Sequence, residues 1–282
     1  MEKSLKLSLS MCLILLLFSC KKNTKNELSL AERKEKSKQI LREGMSLYQG
    51  SSESMIKLEE AIKLDRNNYD AWRELSIPYL KRGIPYKWKA IYDTVVAIHP
   101  PAWQAWRGYN YLWFYRDYKK AITDFDTADS FNPNFTEQAQ GHSVDYWRGI
   151  AYLGLKDYNN SIKYFDKYIN KEINDSGEDW VEVTAFLYRG IAFYESGDYE
   201  NALFNFNKLL HYTKGRYADG NYYKALVLEK NKNLKEALVL TNQAIKNYND
   251  GYYNNRPYVE TLRQIYIDDL QELKDTLEKK NK

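Results

Sequence analysis

The sequence predicts an all-α fold, a right-handed α-solenoid of about six helix pairs with a capping helix at the C-terminal end. The main observation is an internal repeat, in which an aromatic residue followed by a basic residue recurs at steps of 34, 41, 41 and 35 residues. Repeats of this length indicate stacked supersecondary units rather than one globular core. Proline and glycine are scarce and no strand-like alternation persists, which favours helices. The repeated pairs are Trp72-Arg73, Trp106-Arg107, Trp147-Arg148, Tyr188-Arg189 and Tyr223-Lys224.

The N-terminal residues form a candidate export signal. Lys3 and Lys6 precede a mostly apolar run at residues 7–18. As a helix this run would extend about 18 Å, whereas the hydrocarbon core of a membrane is about 30 Å thick. We therefore interpret residues 1–19 as a signal peptide that takes no part in the fold.

The end of this segment resembles the lipobox of bacterial lipoproteins. Leu17 lies three residues before Cys20 and the small Ser19 directly precedes it, although Phe18 is less usual between them. The resemblance implies cleavage before Cys20 and lipid on its thiol and its new amino group, which together give stable anchoring. The alternative is an ordinary secretory signal with an incidental cysteine. Residues 20–36 are then the lipidated cysteine and a polar tether.

Composition excludes several kinds of chemistry from the expected folded part. The only other cysteine, Cys12, lies within the signal, so thiol nucleophiles, disulfides and cysteine metal ligands are not expected. The net charge is only +4, and lysines alternate with acidic residues along the chain. A broad basic surface for nucleic acid is therefore not expected either.

Helical segments with short breaks follow the tether. Ser29 and Glu32 have the spacing of a capping box, which predicts a helix start near residue 30. From residue 37 to residue 250 the pattern divides into pairs of helices. Their approximate bounds are 37–68, 69–102, 103–137, 142–176, 183–216 and 218–250.

The clearest pair, residues 186–210, shows the positions on which a known repeat depends. A small residue in the first helix lets the second helix approach closely, and alanine lies where the two cross. The matching positions are Gly190, Phe193, Gly197-Asp198-Tyr199, Ala202, Phe206 and Leu209. This pattern is similar to the tetratricopeptide repeat. The resemblance implies a scaffold that binds proteins and needs no cofactor.

The other units vary this pattern. In the unit that contains Gly108, Tyr111 and Asp117, one extra residue is expected in the turn. The bulky Trp88 lies near the alanine position of the second unit, so we expect that helix pair to be splayed. Longer linkers are expected at residues 134–142 and 170–182. The second linker is the best candidate for an exposed functional loop, and plain variation in length is the alternative.

Residues 251–282 are predicted to end the solenoid with a capping helix and a basic tail. One helix is expected over about 257–279, because an apolar stripe runs along it opposite a charged face. It would cap the last pair, and a docking helix for a partner is the alternative. The stripe is Leu262, Tyr266, Leu270, Leu273 and Leu277.

No catalytic or metal-binding pattern is recognisable. His99, His142 and His211 are isolated from other potential ligands, and neither a zinc-protease motif nor a glycine-rich phosphate loop is present. We therefore predict a protein that is not an enzyme and has no cofactor and no metal site.

The basic residues of the repeated pairs allow two interpretations. Tetratricopeptide repeats commonly have leucine before the small residue, but this chain has Arg107, Arg148, Arg189 and Lys224 there. Stacked beside aromatic rings, these cations could bind the carboxylates of a partner. Alternatively, each pairs with a carboxylate of the next helix, because an unpaired buried charge is costly. The carboxylates considered are Asp126, Asp166 and Glu200.

Aromatic residues are the second anomaly of composition, with 26 Tyr, 7 Trp and 10 Phe. Much of this content is expected in the core. Some residues exceed what packing demands and are candidates for lining a peptide or glycan groove, because tyrosine and tryptophan combine an apolar body with a polar group. A general compositional bias is the alternative. These residues are Trp103, Trp113, Tyr222, Tyr223, Tyr252 and Tyr253.

Taken together, these features predict a lipid-anchored scaffold of the bacterial envelope. Its concave surface would bind another envelope protein or a peptide segment, with the anchor at Cys20 holding it to the membrane, most simply on the periplasmic side of the outer membrane. The alternatives are a glycan- or nutrient-binding lipoprotein and an accessory subunit of outer-membrane protein assembly. The candidate contact residues are Trp106, Arg107, Trp147, Arg148, Tyr188, Arg189, Tyr223 and Lys224.

Overall fold

The computed structural model describes residues 28–132 and 136–282. The proposed signal peptide and Cys20 lie outside this part of the chain. The described residues belong to two compact units, one ending at Ala71 and one running from Trp72 to Lys282. Both are helical, which confirms the all-α fold.

The helices follow the predicted order of six pairs and one terminal helix. The first and second helices of successive pairs are α1 (Leu30–Met45) and α2 (Ser52–Leu64), α3 (Tyr69–Lys81) and α4 (Pro85–Ile98), α5 (Pro100–Asn110) and α6 (Tyr118–Ser130), α7 (Val144–Gly154) and α8 (Tyr158–Ser176), α9 (Val183–Ser196) and α10 (Tyr199–Tyr212), and α11 (Ala218–Lys230) and α12 (Leu234–Asn249), with α13 (Ile267–Lys280) at the end.

The predicted capping box begins helix α1 in the first unit. The backbone N–H of Ser29 donates to Glu32 Oε2 at 2.8 Å, and the backbone N–H of Glu32 donates to Ser29 Oγ at 3.3 Å. These bonds satisfy amide groups that have no partner at a helix start. The helix therefore starts at Leu30, as expected from the sequence.

Small residues set the close approach of the two helices in three pairs of the second unit. At each of three glycines, a Cβ atom would lie within 3 Å of a phenylalanine ring of the second helix, which is closer than atoms can pack. The small residue is therefore required by packing. The closest distances are 2.7 Å from Gly108 to Phe125, 2.8 Å from Gly149 to Phe165 and 2.6 Å from Gly190 to Phe206.

The aspartates in the turns cap the second helices. Asp117, Asp157 and Asp198 each accept a hydrogen bond from the backbone N–H three residues later, at 3.1, 3.2 and 3.1 Å. A carboxylate at this place satisfies a free amide and interacts favourably with the positive end of the helix. The same aspartate thus starts helices α6, α8 and α10.

The third pair contains a π-helical turn, Tyr111–Tyr115, directly after α5. The backbone N–H of Asp117 bonds to the carbonyl of Tyr111, six residues back, whereas Asp157 and Asp198 bond five residues back, to Tyr152 and Phe193. One extra residue is therefore present, as the sequence predicts, but it lies in the first helix and not in the turn. A π-helical turn accommodates an inserted residue while keeping the helix continuous.

The second pair is irregular, as expected. Helices α3 and α4 contact each other little, in contrast to the close packing within the later pairs. Trp88 is 1% exposed and stacks on Tyr92 with 5.0 Å between the ring centroids. Trp88 also contacts the rings of Tyr111 and Tyr115, so this side chain packs toward the third pair.

Both long linkers differ from the expected loops. Helix α8 continues to Ser176, so most of the 170–182 linker is helical, and a 3₁₀ turn at Glu178–Trp180 completes it. In the other linker, strands β1 (Gln138–Ala139) and β2 (His142–Ser143) form a two-residue antiparallel ladder. This ladder accepts the indole N–H of Trp147 at the carbonyl of Ala139, at 2.8 Å.

The C-terminal helix is shorter than predicted. Helix α13 begins at Ile267 and not near residue 257, and residues 251–266, called the return segment below, contain no α-helix. Tyr258 and Arg263 have φ angles of 71° and 56°, which are incompatible with a right-handed helix. The prediction of a helix from residue 257 was therefore wrong. It counted Leu262 as the first residue of the apolar stripe, but Leu262 is buried within the non-helical return segment.

Helix α13 packs against the last pair, as expected of a cap. Leu273 and Leu277 form one buried cluster with Ala225, Leu228 and Ala237. The opposite face keeps acidic and basic residues in solvent, among them the exposed Glu272 and Glu278. A polar outer surface is what the end of a repeat array requires.

Candidate functional site

The arginines of the repeated pairs are held by carboxylates of the second unit. Arg148 is 3% exposed and pairs with Asp126 at 2.9 Å, Asp129 at 2.7 Å and Asp145 at 2.8 Å. Burial of a guanidinium is favourable only when its charge is compensated in this way. The structure therefore places Arg148 inside the protein, in a network of charges.

Arg107 and Arg189 are paired similarly but are more exposed. Arg107 donates from Nε and Nη2 to Asp124, both at 2.8 Å, and lies 3.0 Å from Asp93. Arg189 pairs with Asp166 at 2.7 Å and donates to Asn205 at 2.7 Å. Lys224, in contrast, has no ion pair within the described residues.

These ion pairs differ from the expected arrangement in one respect. Asp126 and Asp166 are paired, but with the arginine of the following unit, and Arg189 bonds to Asn205 where Glu200 was considered. Each first helix packs between its own second helix and the second helix of the preceding pair, so its arginine reaches both. The basic residues therefore link successive pairs of the second unit.

The aromatic residues of the repeated pairs are mostly buried. Trp147 and Tyr188 are each 1% exposed and Tyr223 is 7% exposed, whereas Trp106 is only partly buried. Of the eight candidate contact residues, four retain exposed surface. They are Trp106, Arg107, Arg189 and Lys224.

The return segment covers the first helices of the second unit. From α11 it runs outward: the carbonyl of Tyr252 accepts the N–H of Ala218 at 2.8 Å, and Asn254 Nδ2 donates to Tyr188 Oη of α9 at 2.9 Å. Farther along, Arg256 reaches the third and fourth pairs. The return segment therefore shields Tyr188, the partner of Asn254, from solvent.

The segment then turns at the third pair and comes back. Arg116, which follows the π-helical turn, donates from Nη2 to the carbonyls of Glu260 and Thr261. On the way back Arg263 forms a two-bond pair with Glu195 of α9, at 2.6 and 2.9 Å. The face of the first helices is therefore not an open groove between α5 and α11.

Arg256 is the centre of an aromatic cluster. Its guanidinium carbon lies 4.4 Å from the ring centroid of Trp113, 5.4 Å from that of Tyr109 and 5.7 Å from that of Trp147. Such distances give favourable cation–π interactions. Nη2 also donates a hydrogen bond to Tyr109 Oη. Within the described residues, no carboxylate forms an ion pair with Arg256.

A cavity of about 280 Å³ opens beside Arg256. Its wall combines first-helix residues with the return segment, so neither part alone makes the site. Charged, amide, hydroxyl and aromatic groups all contribute, as in binding sites for small molecules. The residues that matter below are Arg256, Glu182, Trp113, Trp147, His142 and Asn255.

Glu182 supplies the negative charge of the cavity. Its Oε1 accepts hydrogen bonds from the backbone N–H and the hydroxyl of Thr184, at 3.2 and 2.9 Å, and caps helix α9. The Thr184 hydroxyl also lies 2.6 Å from Tyr146 Oη. The other carboxylate oxygen of Glu182, Oε2, has no cationic partner among the described side chains. The carboxylate is thus fixed in place with one oxygen uncommitted.

His142 lies between these two charges. Burial lowers the pKa of its imidazole, the charge of Glu182 acts in the opposite direction, and the charge of Arg256 lowers it further. The ring packs on Tyr146 and Trp147, with centroids 4.9 and 5.3 Å away. His142 is therefore an aromatic-packed wall of the cavity, and its burial favours the neutral form of the imidazole.

Two buried polar atoms near the cavity lack partners within the described residues. One is the indole N–H of Trp113, a residue that lines the cavity and is 2% exposed. The other is Oδ1 of Asp219, whose Oδ2 accepts the backbone N–H of Asn254 at 2.8 Å. Burial raises the pKa of Asp219 to about 7. Unpaired buried groups are uncommon and point to places where a ligand or a proton is held.

Sequence reasoning identified some of these residues and missed others. Trp113 and Tyr253 were candidates for a groove on composition, and both line the cavity. Glu182 is the last residue of the 170–182 linker that the sequence indicates as a functional loop, and the candidate contact residues Trp147 and Tyr188 also line the cavity. Arg256 has no such signal, because it lies outside the repeated positions. His142 was treated as isolated, and no local pattern indicates that it meets residues 40 to 114 positions further along the chain.

Other site types find little support in the described residues. No group of three or more histidine, cysteine, aspartate or glutamate side chains there is placed to hold a metal ion. The nitrogen Nδ1 of His99 accepts the backbone N–H of Ala102 at 3.3 Å and so begins helix α5. In the same part of the chain no helix is long and apolar enough to cross a membrane.

Comparison with known families supports the repeat assignment. Residues 143–172 and 184–252 each match a model of the tetratricopeptide repeat. The chain contains tetratricopeptide repeats. The matched segments include helices α7 to α12, apart from the end of α8 and the first residue of α9. The first two of these pairs keep the glycine, phenylalanine and aspartate positions, whereas the last pair has Ala225, Thr241 and Asn233 there. No curated protein matches the sequence.

Solved structures with tetratricopeptide repeats have the same fold. PilW, described as a widely conserved type IV pilus biogenesis factor, has a TM-score of 0.62 at 16% identity, over 85% of this chain and 97% of its own. Pseudomonas aeruginosa PilF has a TM-score of 0.57 at 16% identity, over 77% and 94%. YrrB, a tetratricopeptide-repeat protein with an unusual peptide-binding site, has a TM-score of 0.50 at 18% identity, over 68% and 93%. At such identities the similarity shows the fold alone.

Proposed function

We propose that this protein is a lipid-anchored interaction scaffold of the bacterial envelope, which binds a segment of a second envelope protein. Its repeats have the fold of proteins whose names refer to pilus biogenesis and to peptide binding. A rigid scaffold lowers the entropy cost of binding on the side of the protein. The inter-pair arginine networks supply that rigidity in the second unit.

The observation that carries the proposal is a pair of exposed aromatic side chains on the second unit. Trp180 is 73% exposed and Phe204 is 53% exposed. Lys208 lies between their segments: its Nζ is 2.8 Å from Glu178 and 5.7 Å from the ring centroid of Phe204. Tryptophan and other aromatic residues beside a charged rim are typical of the centres of protein interfaces.

The face of the first helices is the second candidate surface. Sequence reasoning placed partner binding there, on the concave side of the solenoid. The return segment covers Trp147, Tyr188 and Tyr223, so a partner on this face would contact the residues that remain exposed. Arg107, Arg189 and Lys224 would then bind acidic groups of the partner beside Trp106.

Affinity capture with matched variants tests both surfaces. The full chain is purified in detergent and used to capture proteins from detergent-solubilised envelope, and the captured proteins are quantified by mass spectrometry. We expect one partner to be lost at least tenfold with Trp180→Ala and Phe204→Ala combined. Val239→Ala is the control, because Val239 is 67% exposed on α12, away from both surfaces.

The outcome of a second variant separates the two faces. Lys224→Glu reverses the charge of the first-helix cation that forms no ion pair within the described residues, so it leaves the arginine networks intact. Loss of the partner in this variant alone would assign binding to that face. A captured set that is the same for the wild type and all variants would contradict the scaffold proposal.

The lipid anchor is tested separately at Cys20. Cys20→Ser removes the thiol that would carry the lipid, and we expect the chain to lose incorporation of a labelled fatty acid and to leave the membrane fraction. Cys12→Ser is the control, since that residue would be cleaved off with the signal. Density separation of inner and outer membranes, followed by protease access in intact cells, tests the proposed location on the periplasmic side of the outer membrane. Fatty-acid labelling that persists in Cys20→Ser would contradict the anchor.

A further inference from the structure

We propose that the cavity between the first helices and the return segment is a binding site for a small zwitterion, either a free amino acid or a short peptide. The observation behind it is one cavity that contains a cation and an anion, neither of which is ion-paired within the described residues. The proposal does not rest on the scaffold function, since the cavity and the exposed aromatic pair are separate features.

Arg256 is arranged to bind a carboxylate. Aromatic rings pack near its guanidinium, with Trp113 closest at 4.4 Å, so the N–H edges remain for bonds in the guanidinium plane. Tyr109 uses one N–H of Nη2. Guanidinium has five N–H donors, and the others have no hydrogen-bond partner among the described residues. A carboxylate that accepts hydrogen bonds from two of these N–H groups in parallel would form a bidentate salt bridge with Arg256, which is a strong type of ion pair.

Glu182 is arranged to bind an ammonium group. Its Oε1 is occupied by Thr184, which fixes the position of the carboxylate at the start of α9. Its Oε2 is available, and the carboxylate lines the cavity. An ammonium group would compensate this charge and gain a charge-assisted hydrogen bond. One molecule with both groups would therefore compensate both charges of the site.

The size and walls of the cavity narrow the ligand further. About 280 Å³ is slightly below the usual volumes of ligand pockets, about 300–1,000 Å³, so the cavity suits one or two amino-acid residues and not a long segment. Trp113 and Trp147 line the cavity but are only 2% and 1% exposed, so they offer a ligand little apolar surface. The indole N–H of Trp113 is buried and has no partner among the described residues. An uncharged sugar would leave both charges of the site uncompensated.

Ligand binding can be measured on the full chain purified in detergent. Common free L-amino acids and their glycyl dipeptides are screened by thermal shift and by tryptophan fluorescence, which reports on Trp113 and Trp147. The best compound is then titrated by calorimetry, next to its N-acetylated form, its C-terminal amide and a neutral monosaccharide. We expect saturable binding of the zwitterion, and at least tenfold weaker binding of the acetylated and amidated forms. Whether the amino acid or its dipeptide binds more tightly decides between the two sources.

Two variants assign the ends of the ligand. Glu182→Gln keeps an oxygen for the helix cap but loses the charge, and we expect at least tenfold weaker binding and no remaining discrimination against the N-acetylated form. Arg256→Gln should do the same for the C-terminal amide. Arg256→Lys is the second test at this position, because it keeps the positive charge near the rings and loses only the two-bond geometry. Arg216→Gln is the matched control: its guanidinium lies 5.9 Å from the ring centroid of Tyr252, away from this cavity.

Several results would overturn the proposal. One is the absence of saturable binding of any screened zwitterion at concentrations up to about 10 mM. A Kd of that size corresponds to a binding free energy of about −3 kcal/mol. Another is equal affinity for the free, acetylated and amidated forms, or tighter binding of the neutral sugar. Unchanged affinity in folded Glu182→Gln and Arg256→Lys would also place the ligand elsewhere.

Discussion

The guanidinium carbon of Arg256 lies 4.4 Å from the ring centroid of Trp113, and this contact joins the segment after the last helix pair to the π-helical turn of the third pair. Repeat arrays are normally held by contacts between neighbouring units alone. In the second unit the return segment adds contacts between residues that are distant in sequence, such as Arg256 and Tyr109. Trp113 lies within this π-helical turn and Arg116 directly follows it.

Removing the Arg256 side chain should therefore destabilise the second unit. Arg256→Ala loses contacts with Trp113, Tyr109 and Trp147, and we expect the free energy of unfolding to fall by about 1–2 kcal/mol. Urea unfolding followed by tryptophan fluorescence measures this change. Arg216→Ala is the control and should cost less than about 0.5 kcal/mol, because it has one more distant ring contact, 5.9 Å from Tyr252. Equal losses in the two variants would show that the aromatic cluster around Arg256 adds no stability.

Two of the paired arginines, Arg148 and Arg189, should differ in their contribution to stability. Arg148→Met leaves Asp145, 1% exposed, without its arginine, although Lys167 Nζ lies 2.8 Å from Asp145 Oδ2. A buried charge that loses a partner costs about 3–5 kcal/mol. Arg189→Met leaves Asp166, whose side chain is 47% exposed, and the buried amide oxygen of Asn205 without this partner. We therefore expect a smaller loss, about 1–2 kcal/mol. Urea unfolding of both variants gives the comparison.

A second substitution checks the cause of the Arg148 effect. Asp145→Asn in the Arg148→Met background removes the buried charge that then has only the exposed Lys167 as its partner, and it should recover part of the lost stability. If the double variant is as unstable as the sum of the two single variants, the loss comes from packing and not from the charge of Asp145.

The close contact between Gly149 and Phe165 gives a third prediction. A Cβ atom at Gly149 would lie 2.8 Å from the phenylalanine ring, so Gly149→Ala should destabilise the protein by about 1–3 kcal/mol despite the better helix propensity of alanine. Thermal unfolding followed by circular dichroism measures the change. Phe165→Leu in the Gly149→Ala background frees space for the methyl group and should restore part of the stability. A stability above wild type for Gly149→Ala alone would show that the helices can separate without cost.

The repeats could be predicted from sequence because their determinants are local. Gly190, Ala202 and Phe206 lie within seventeen residues, and their spacing alone specifies how two helices cross. The aspartate caps are local in the same sense. Even the extra residue of the third unit was recognisable, although its place in the first helix was not, because a π-helical turn leaves no signal in the spacing of apolar residues.

The cavity could not be predicted because its residues meet only in the folded chain. Arg256 contacts Tyr109 across 147 residues and Arg263 pairs with Glu195 across 68. Leu262 and Tyr266 also fit the spacing of a helix, which concealed the return segment. The arginines of the repeated pairs were harder to place for a related reason. The sequence indicates their carboxylate partners, but each first helix contacts two second helices. Sequence spacing does not show which of the two helices the arginine reaches.

Asp219 should make stability depend on pH. Its Oδ2 accepts the backbone N–H of Asn254 at 2.8 Å, and burial raises its pKa from an ordinary 3.8 to about 7. The folded protein therefore binds a proton that the unfolded chain has already released between these pH values. The free energy of unfolding is highest with respect to this group below pH 3.8 and falls as the pH rises to about 7, by about 4 kcal/mol in total.

The variant Asp219→Asn isolates this effect. The asparagine oxygen still accepts the N–H of Asn254, but no proton is exchanged, so the decline between pH 4 and pH 7 should disappear. His142 acts with the opposite sign, since burial lowers its pKa and low pH then destabilises the folded state. Its contribution is common to both proteins and cancels when the variant is compared with wild type at each pH. Parallel curves for the two proteins from pH 4 to pH 8, measured by urea unfolding, would show that the carboxyl of Asp219 titrates alike in the folded and unfolded states.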